Sequence, residues 1–339
     1  MTVTRVTLGR HNKMLSDGRG VDRDPRDRMA VVTFTRRQVA ADMFPEFLTR
    51  RGYPLIPEID AYAREAGVPR PALLLLSASL PLWRDGVLTR TRSRWRSPYV
   101  TNEEPRERGW REIVQCGLAE DHPDGWRITA RGQDVARAYQ RRLRSLLREL
   151  ALPADAARRA AAATARVAAR IPAGAERAAL ARTLTTPDAD EPPSDGVALN
   201  NAVNTLWGFR DDCHIGAWQA AGYEGPPFDV LSQVWTSPGD LAWATIGGST
   251  TVEAVVKAIG AKQTAADVDR HVDRLVRRGD LARDGDAVRI TARGQRARDA
   301  IEDETDRRFF ATWDLDDAAT ARLGADLRAV IDALPSSAP

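Results

Sequence analysis

The chain carries the same seven-residue sequence twice, and this repeat constrains the fold more than any other feature. Residues 127–133 and 289–295 both read RITARGQ, at an offset of 162 positions. Upstream, residues 63–77 resemble residues 218–232 at an offset of 155, which indicates a seven-residue insertion in the second copy. Self-similarity at a fixed spacing is typical of one structural unit present twice. We therefore interpret the chain as a tandem duplication.

Length and composition agree with two globular domains. At roughly 150 residues per domain, 339 residues correspond to about two. No apolar run reaches the roughly 18 residues that a membrane span requires, and the start of the chain lacks the apolar segment of a secretion signal. Two cysteines, Cys116 and Cys213, exclude a disulfide framework. We expect a cytoplasmic protein that has no membrane partner.

The second copy has the clearest local pattern. An apolar stripe along residues 227–235 predicts one helix, and residues 251–260 predict a second. After a turn of about three residues, residues 264–279 predict a third helix, so the last two form a helix-turn-helix. The Gly285 turn between two extended segments predicts a β-hairpin, and Thr291 is placed to cap a long closing helix.

This order of elements resembles the MarR-like winged helix-turn-helix family. The resemblance rests on residues 251–313, and the opening of the family's dimerisation helix is matched by Ile290, Thr291 and Gly294. It implies a mainly α fold with small β wings (α+β), built as two tandem winged-helix domains with long closing helices in a pseudo-twofold arrangement. Members of that family act as dimers, so the resemblance also implies either an internal pseudo-dimer or a homodimer.

The duplication and the resemblance together predict four segments. These are a disordered basic tail at 1–28, a first winged-helix domain at 29–150, a helical connector with a Pro/Asp-rich linker at 151–199, and a second winged-helix domain with C-terminal helices at 200–339.

The resemblance implies a DNA-binding transcription regulator, although 50 basic against 47 acidic residues give a net charge of only +3. In the second copy, arginines one turn apart on the third helix are suited to contact phosphates or guanine in a major groove. Three aspartates on the same helix leave a solvated, salt-bridged face as the alternative. The predicted double-stranded DNA contacts of this copy are Lys262, Gln263, Thr264, Arg270, Arg274, Arg277 and Arg278.

The first copy lacks most of this basic stripe. Its positive charge lies upstream, in a segment where arginines alternate with other residues. Alternation at a period of two predicts an extended ribbon with one arginine face, which suits a phosphate backbone, whereas an ordinary exposed loop is the alternative. The predicted contacts here are Arg90, Arg92, Arg94 and Arg96.

The resemblance also implies an effector site between the closing helices and the winged helix. Aromatic side chains are concentrated in the second copy and suit a planar small molecule, whereas a packed core is the alternative for most of them. The predicted ligand-binding residues are Trp207, Arg210, His214, Trp218, Trp235 and Trp313.

A second class of function stays open. A winged-helix scaffold that has lost DNA binding would act as a small-molecule-binding protein or an enzyme through Arg210, Asp211, Asp212 and His214, which lie on one predicted helix. The alternative for this cluster is an interhelical salt bridge. The chain contains no P-loop, dinucleotide-binding, nucleophile-elbow or zinc-protease motif, and we predict no cofactor and no metal.

Overall fold

The computed structural model describes residues 34–94, 97–236 and 248–337. The described residues form helices and two small antiparallel sheets, which confirms the predicted mainly α class with small strands. The predicted tail at 1–28 lies outside these residues. No helix among them combines the length and the apolar character needed to cross a membrane.

An N-terminal unit contains the first sheet. It runs from α2 to α6, with helices α2 (Ile56–Glu65), α3 (Arg70–Ser79), α4 (Arg90–Arg94), α5 (Glu104–Gln115) and α6 (Ala130–Glu149), and strands β1 (Val87–Thr89), β2 (Ala119–His122) and β3 (Gly125–Ile128). The strand order is β1-β3-β2. Trp110 and Trp126 stack at its centre, with ring centroids 4.6 Å apart, and both are almost fully buried.

A C-terminal unit contains the second sheet in the equivalent order, β4-β6-β5. Its elements are α10 (Gly225–Val234), β4 (Ser249–Thr251), α11 (Val252–Ile259), α12 (Ala265–Arg278), β5 (Leu281–Asp284), β6 (Ala287–Ile290) and α13 (Ala292–Phe310). Helices α11 and α12 are joined by the short turn Gly260–Lys262, as the sequence predicted.

The two sheets have the same hydrogen-bond register at the offset of the sequence repeat. Val87 pairs with Arg127 in the first sheet, and Ser249 pairs with Arg289 in the second, so both partners are shifted by 162 positions. Seven residues separate α3 from β1, whereas 14 separate α10 from β4. The connection between α10 and β4 in the C-terminal unit is therefore seven residues longer than its counterpart in the N-terminal unit.

The repeated RITARGQ sequence joins the last strand to the closing helix of each unit. Thr291 Oγ1 accepts a hydrogen bond from Gly294 N at 3.0 Å, and Thr129 caps α6 through Gly132 N at the same distance. A Cβ atom on Gly294 would lie 2.1 Å from the carbonyl oxygen of Asp280. Threonine therefore caps each helix, and glycine allows the helix to approach the preceding turn.

A central bundle connects the two units. It contains α1 (Phe44–Arg50), α7 (Ala154–Ala168), α8 (Glu176–Thr185), α9 (Asp195–Ala220) and α14 (Asp317–Asp332), and it receives the end of α13. Phe44, Leu206, Phe309 and Leu327 belong to its apolar core. The last turn of α9 continues into the core of the C-terminal unit, where Trp218 packs on Phe228.

One local prediction is wrong. The segment with alternating arginines is not an extended ribbon, because Arg90, Arg92 and Arg94 lie on the short helix α4. The alternation carries no information about which side chains are buried, since none of the five residues of α4 is buried. Arg96 lies outside the described residues.

Candidate nucleic-acid interface and ligand pocket

Helix α12 presents the candidate nucleic-acid interface. Thr264 and Asp267 form a capping box at its start, and Gly279 ends it in the left-handed conformation at φ 84°. Val268, Val272 and Leu275 are buried in the C-terminal unit, which turns the opposite face of the helix to solvent.

Two predicted contact residues on that face are exposed but paired with acids. Arg270 pairs with Asp267 one turn earlier. Arg274 donates two hydrogen bonds to Glu224, at 2.7 and 2.8 Å, and these side chains are 50% and 65% exposed. Glu224 is held below its usual pKa by the hydrogen bond from Arg274. The exposed Arg274–Glu224 pair contributes only about 0–1 kcal/mol and exchanges easily for another anion, whereas Asp267 is only 13% exposed.

The two arginines at the end of α12 differ from each other. Arg278 donates to the carbonyl oxygens of Gly222 and Ala221, at 2.7 and 2.9 Å, and its guanidinium lies 3.8 Å from the centroid of the Tyr223 ring. These contacts hold Arg278 in a structural role. Arg277 is exposed, and among the described residues it has no ion-pair partner.

The start of α12 is occupied by the N-terminal unit. Gln263 is 3% exposed and donates to the carbonyl oxygens of Tyr99 and Pro226. Lys262 pairs with Asp229 at 2.6 Å. The Lys262 carbonyl accepts from the backbone N–H groups of residues 101 and 102, and Thr101 Oγ1 donates to Asp267 at 2.8 Å. Gln263 is therefore not placed to contact DNA, because it is used in the contact between the units, whereas Thr264 is exposed but engaged as the helix cap.

The sequence reasoning missed a basic residue in the hairpin beside α12. Arg283 on β5 pairs with Asp269 at 2.8 Å and with Asp273 at 2.9 Å. Arg283 therefore neutralises two of the three aspartates that reduce the positive charge of α12. Residues 281–283 were predicted only as a strand, and strand alternation puts Arg283 on the same face as buried Leu281, so no sequence signal marked it as an exposed partner of α12.

The predicted arginines of the N-terminal unit are exposed on α4. Arg90 lies 5.2 Å from the centroid of the Trp126 ring and 3.9 Å from Glu107. Arg94 pairs with Glu103 at 3.2 Å, and Arg92 is exposed. These arginines form a smaller surface than the face of α12, because α4 has only five residues and α12 has 14.

A separate pocket of about 240 Å³ lies between α9, α10 and α13. Four of the six predicted ligand-binding residues line it, namely Trp207, Arg210, His214 and Trp235. Trp218 instead packs beside the pocket, where its Nε1 donates to the Tyr99 hydroxyl at 3.3 Å. Trp313 belongs to the central bundle and donates to Thr320. Further lining residues that the sequence did not single out include Tyr99, Phe228, Arg298 and Glu302.

A buried charge network forms one wall of this pocket. Arg210 pairs with Glu302 and with Asp306, and Arg298 pairs with Glu302 at 2.9 Å. Burial by itself would raise the pKa of Glu302, but the positive charges of Arg210 and Arg298 outweigh it and lower the pKa to about 2. Glu302 therefore stays ionised and neutralises part of the charge of the two arginines.

His214 is held neutral in the same wall. Its Nδ1 lies 3.1 Å from Thr305 Oγ1, and that hydroxyl donates its only hydrogen to the carbonyl of Ile301 at 2.7 Å. Thr305 must therefore accept from Nδ1–H, which leaves Nε2 as a hydrogen-bond acceptor. Desolvation, with the positive charge of Arg298 as a smaller contribution, lowers the pKa of His214 to about 3.

The proposed catalytic cluster does not assemble around one point. Asp212 accepts from the backbone N–H groups of Arg177 and Ala178 at the start of α8, so it caps that helix. Asp211 lines the pocket with Arg210 and His214. Burial raises the pKa of the neighbouring Cys213 thiol to about 12, which leaves it unreactive. Within the described residues, no group of three or more His, Cys, Asp or Glu is placed to hold a metal ion.

Comparison with known proteins identifies one relationship. The model of a family described as a helix-turn-helix family matches residues 117–338, which is more than half of the chain. The match begins at the end of α5 and covers the whole C-terminal unit with its α11–α12 pair. Searches of curated proteins and of solved structures found no match.

Proposed function

The chain belongs to this helix-turn-helix family, which indicates a DNA-binding regulator, and on that premise we propose a transcription regulator of the MarR type. The finer proposal is that the N-terminal and C-terminal units are two tandem winged helices that arose by duplication and form a pseudo-dimer within one chain. The identical sheet registers at an offset of 162 support this proposal.

The observation that carries DNA binding is the exposed face of α12. Arg270, Arg274 and Arg277 lie on it, with Arg283 on the adjacent hairpin. Because Arg274 and Glu224 form a surface pair, a phosphate can replace Glu224 at little cost, whereas Asp267 is held in the capping box of α12. The start of α12 is occupied by the N-terminal unit, so contact with DNA is proposed through the middle and end of the helix, with Arg92 and Arg94 as an auxiliary phosphate-binding group.

Titration of a labelled duplex at increasing salt concentration tests this interface. We expect duplex affinity to fall steeply with salt, since each phosphate contact contributes about 0.9 to the slope of log K against log salt. Arg270→Ala combined with Arg274→Ala is expected to weaken binding and to reduce that slope. Arg158→Ala combined with Arg166→Ala, on exposed positions of α7, removes the same charge and serves as the control.

Duplex affinity that is insensitive to salt and to the α12 substitutions would contradict a regulator that binds through this helix. Equal effects of the α7 and α12 pairs would show that only net charge matters.

We further propose that the pocket is an effector site coupled to α12. Tyr99 lines the pocket, and its carbonyl oxygen accepts a hydrogen bond from Gln263, which lies immediately before α12. A ligand that displaces Tyr99 would therefore disturb the contact between the units at the start of α12. This proposal predicts that an effector changes duplex affinity without contacting DNA.

One observation favours the second candidate, a ligand-binding protein that no longer binds DNA. Each of Arg270, Arg274 and Arg283 is paired with an acid, so the basic excess at α12 is small. Absence of salt-dependent duplex binding, together with ligand binding in the pocket, would favour this candidate. A catalytic version has less support, because Asp212 caps α8 and the Cys213 thiol is buried.

A further inference from the structure

The pocket contains two polar groups that face one aromatic ring. The guanidinium of Arg298 lies 5.2 Å from the centroid of the Phe228 ring, and the His214 ring lies 5.4 Å from the same centroid. Trp207, Trp235 and Tyr99 supply further aromatic lining. The volume of about 240 Å³ is below the roughly 300 Å³ that drug-sized ligands begin to require, so a single or fused ring fits.

Arg298 offers hydrogen-bond donors in this space. Its Nε donates to Ser232 at 3.2 Å and its Nη1 donates to Glu302 at 2.9 Å, while the guanidinium lies 4.1 Å from the centroid of the Trp235 ring. Among the described residues no acceptor is bonded to the remaining nitrogen, Nη2, although the residue is only 4% exposed. A donor that belongs to the pocket wall and has no acceptor among the described residues is suited to a ligand oxygen or nitrogen.

His214 supplies a hydrogen-bond acceptor to the same pocket. Because Thr305 fixes the hydrogen on Nδ1, Nε2 has a lone pair and no hydrogen. Together, the two side chains present a donor and an acceptor around the Phe228 ring. A ligand that satisfies both must itself carry an acceptor beside a donor.

The charged groups of this wall disfavour a strongly charged ligand, because they are already paired. Glu302 is shared by Arg210 and Arg298, Arg210 also pairs with Asp306, and Asp229 is paired with Lys262. An added ligand charge would have to displace one of these partners, and breaking a buried pair is costly.

We propose that the pocket recognises an uncharged planar ring that carries an amide or lactam group, with its carbonyl oxygen on Arg298 and its N–H on His214. The inference rests on the effector pocket of the proposed function and adds the chemical class of the ligand. It differs from recognition of an aromatic acid, whose two oxygens would bring an acceptor against the lone pair of His214. It differs equally from recognition of an amidinium, which has donors alone.

Three probes of the same shape test this assignment. Benzamide carries an acceptor and a donor, benzoate carries two acceptors and a negative charge, and benzamidine carries donors and a positive charge. Binding of each to the full chain is measured by ligand-observed NMR up to millimolar concentration. We expect benzamide to bind at least tenfold more tightly than either charged probe. Its affinity should not change between about pH 5 and 8, the range in which an ordinary histidine titrates.

Two variants separate the polar contact from simple packing. His214→Phe keeps an aromatic ring but removes the acceptor, and it should reduce the preference for benzamide to less than threefold. Arg158→Ala, at an exposed position of α7, should leave the preference unchanged. Folding of both variants is checked by circular dichroism, and should His214→Phe not fold, the order of affinities of the three probes for the unmodified chain provides the decision.

Equal binding of the three probes, tighter binding of a charged probe, absence of binding by all three, or a preference that survives His214→Phe would overturn the assignment. If duplex binding fails while the benzamide preference holds, the regulator proposal falls and the ligand class stands. If duplex binding holds while the preference fails, only the ligand class falls.

Discussion

Glu224 restrains the arginine that the proposed interface needs most, so its removal should strengthen DNA binding. Glu224 accepts both hydrogen bonds of Arg274, at 2.7 and 2.8 Å, and it lies in the turn that precedes α10. A phosphate that approaches Arg274 must first displace this carboxylate. Since an exposed pair contributes about 0.2–1 kcal/mol, Glu224→Gln should lower the duplex dissociation constant about 1.5- to 5-fold.

Fluorescence anisotropy with a labelled duplex of about 30 base pairs, three turns of B-DNA, measures this change. No operator is needed, because the phosphate contribution is independent of sequence. Arg274→Ala should weaken binding and reduce the slope of log K against log salt by about 0.9. When Arg274→Ala is already present, Glu224→Gln should change duplex affinity only slightly, through the loss of one negative charge. Salt near 0.1 M screens the effect of that charge beyond about 10 Å.

Two results would refute this reasoning. If Glu224→Gln weakens duplex binding, the pair supports the interface and does not compete with it. If the gain from Glu224→Gln is as large without Arg274 as with it, release of the guanidinium is not its cause. The double-mutant cycle therefore distinguishes release of Arg274 from a general change of charge.

Three further outcomes concern stability and reactivity. Gly294→Ala should destabilise the protein by about 2–4 kcal/mol in urea denaturation, because its Cβ would overlap the Asp280 carbonyl and loosen the helix cap. Gly174→Ala, where the Cβ meets open space, should change the free energy of unfolding by less than about 1 kcal/mol. Equal effects of the two substitutions would contradict the close approach of Gly294 to Asp280. Glu302 has a pKa lowered from 4.5 to about 2, so the stability it contributes is present above pH 4.5 and is lost as pH falls towards 2. The urea midpoint of the unmodified protein should therefore fall over this pH range, and the midpoint of Glu302→Gln should not show that fall. In the folded protein a thiol reagent should label Cys116, which is partly exposed, while buried Cys213 stays unlabelled until denaturant is added; labelling of both at similar rates would rule out the packing described for α9.

The features that local sequence determines were predicted well. In RITARGQ, a threonine followed three residues later by glycine encodes a helix cap and a close approach, so the strand, the cap and the closing helix could be placed at both occurrences of this sequence. The Gly285 turn was equally local, since a glycine at φ 59° fits a two-residue hairpin loop.

The features that depend on distant contacts were not predictable in this way. The arginines of α4 have no buried neighbours on that helix, so their spacing could not distinguish a strand from a helix. Trp313 was grouped with the pocket because composition does not tell which core an aromatic side chain enters. Gln263 looked like a base-reading residue, and only the packing of Tyr99 from the other unit shows that it is buried.

Helix α9 limits how the length of this chain can vary. Its 26 residues extend over about 39 Å, and along that length they bring Arg210 to Glu302, Asp212 to the start of α8 and His214 to Thr305. Inserting or deleting one residue before position 210 would rotate all three by about 100° away from their partners while the start of the helix stayed in place. Natural variation in length is therefore expected in the connection between α10 and β4, which is seven residues longer than the corresponding connection of the N-terminal unit, and not within α9.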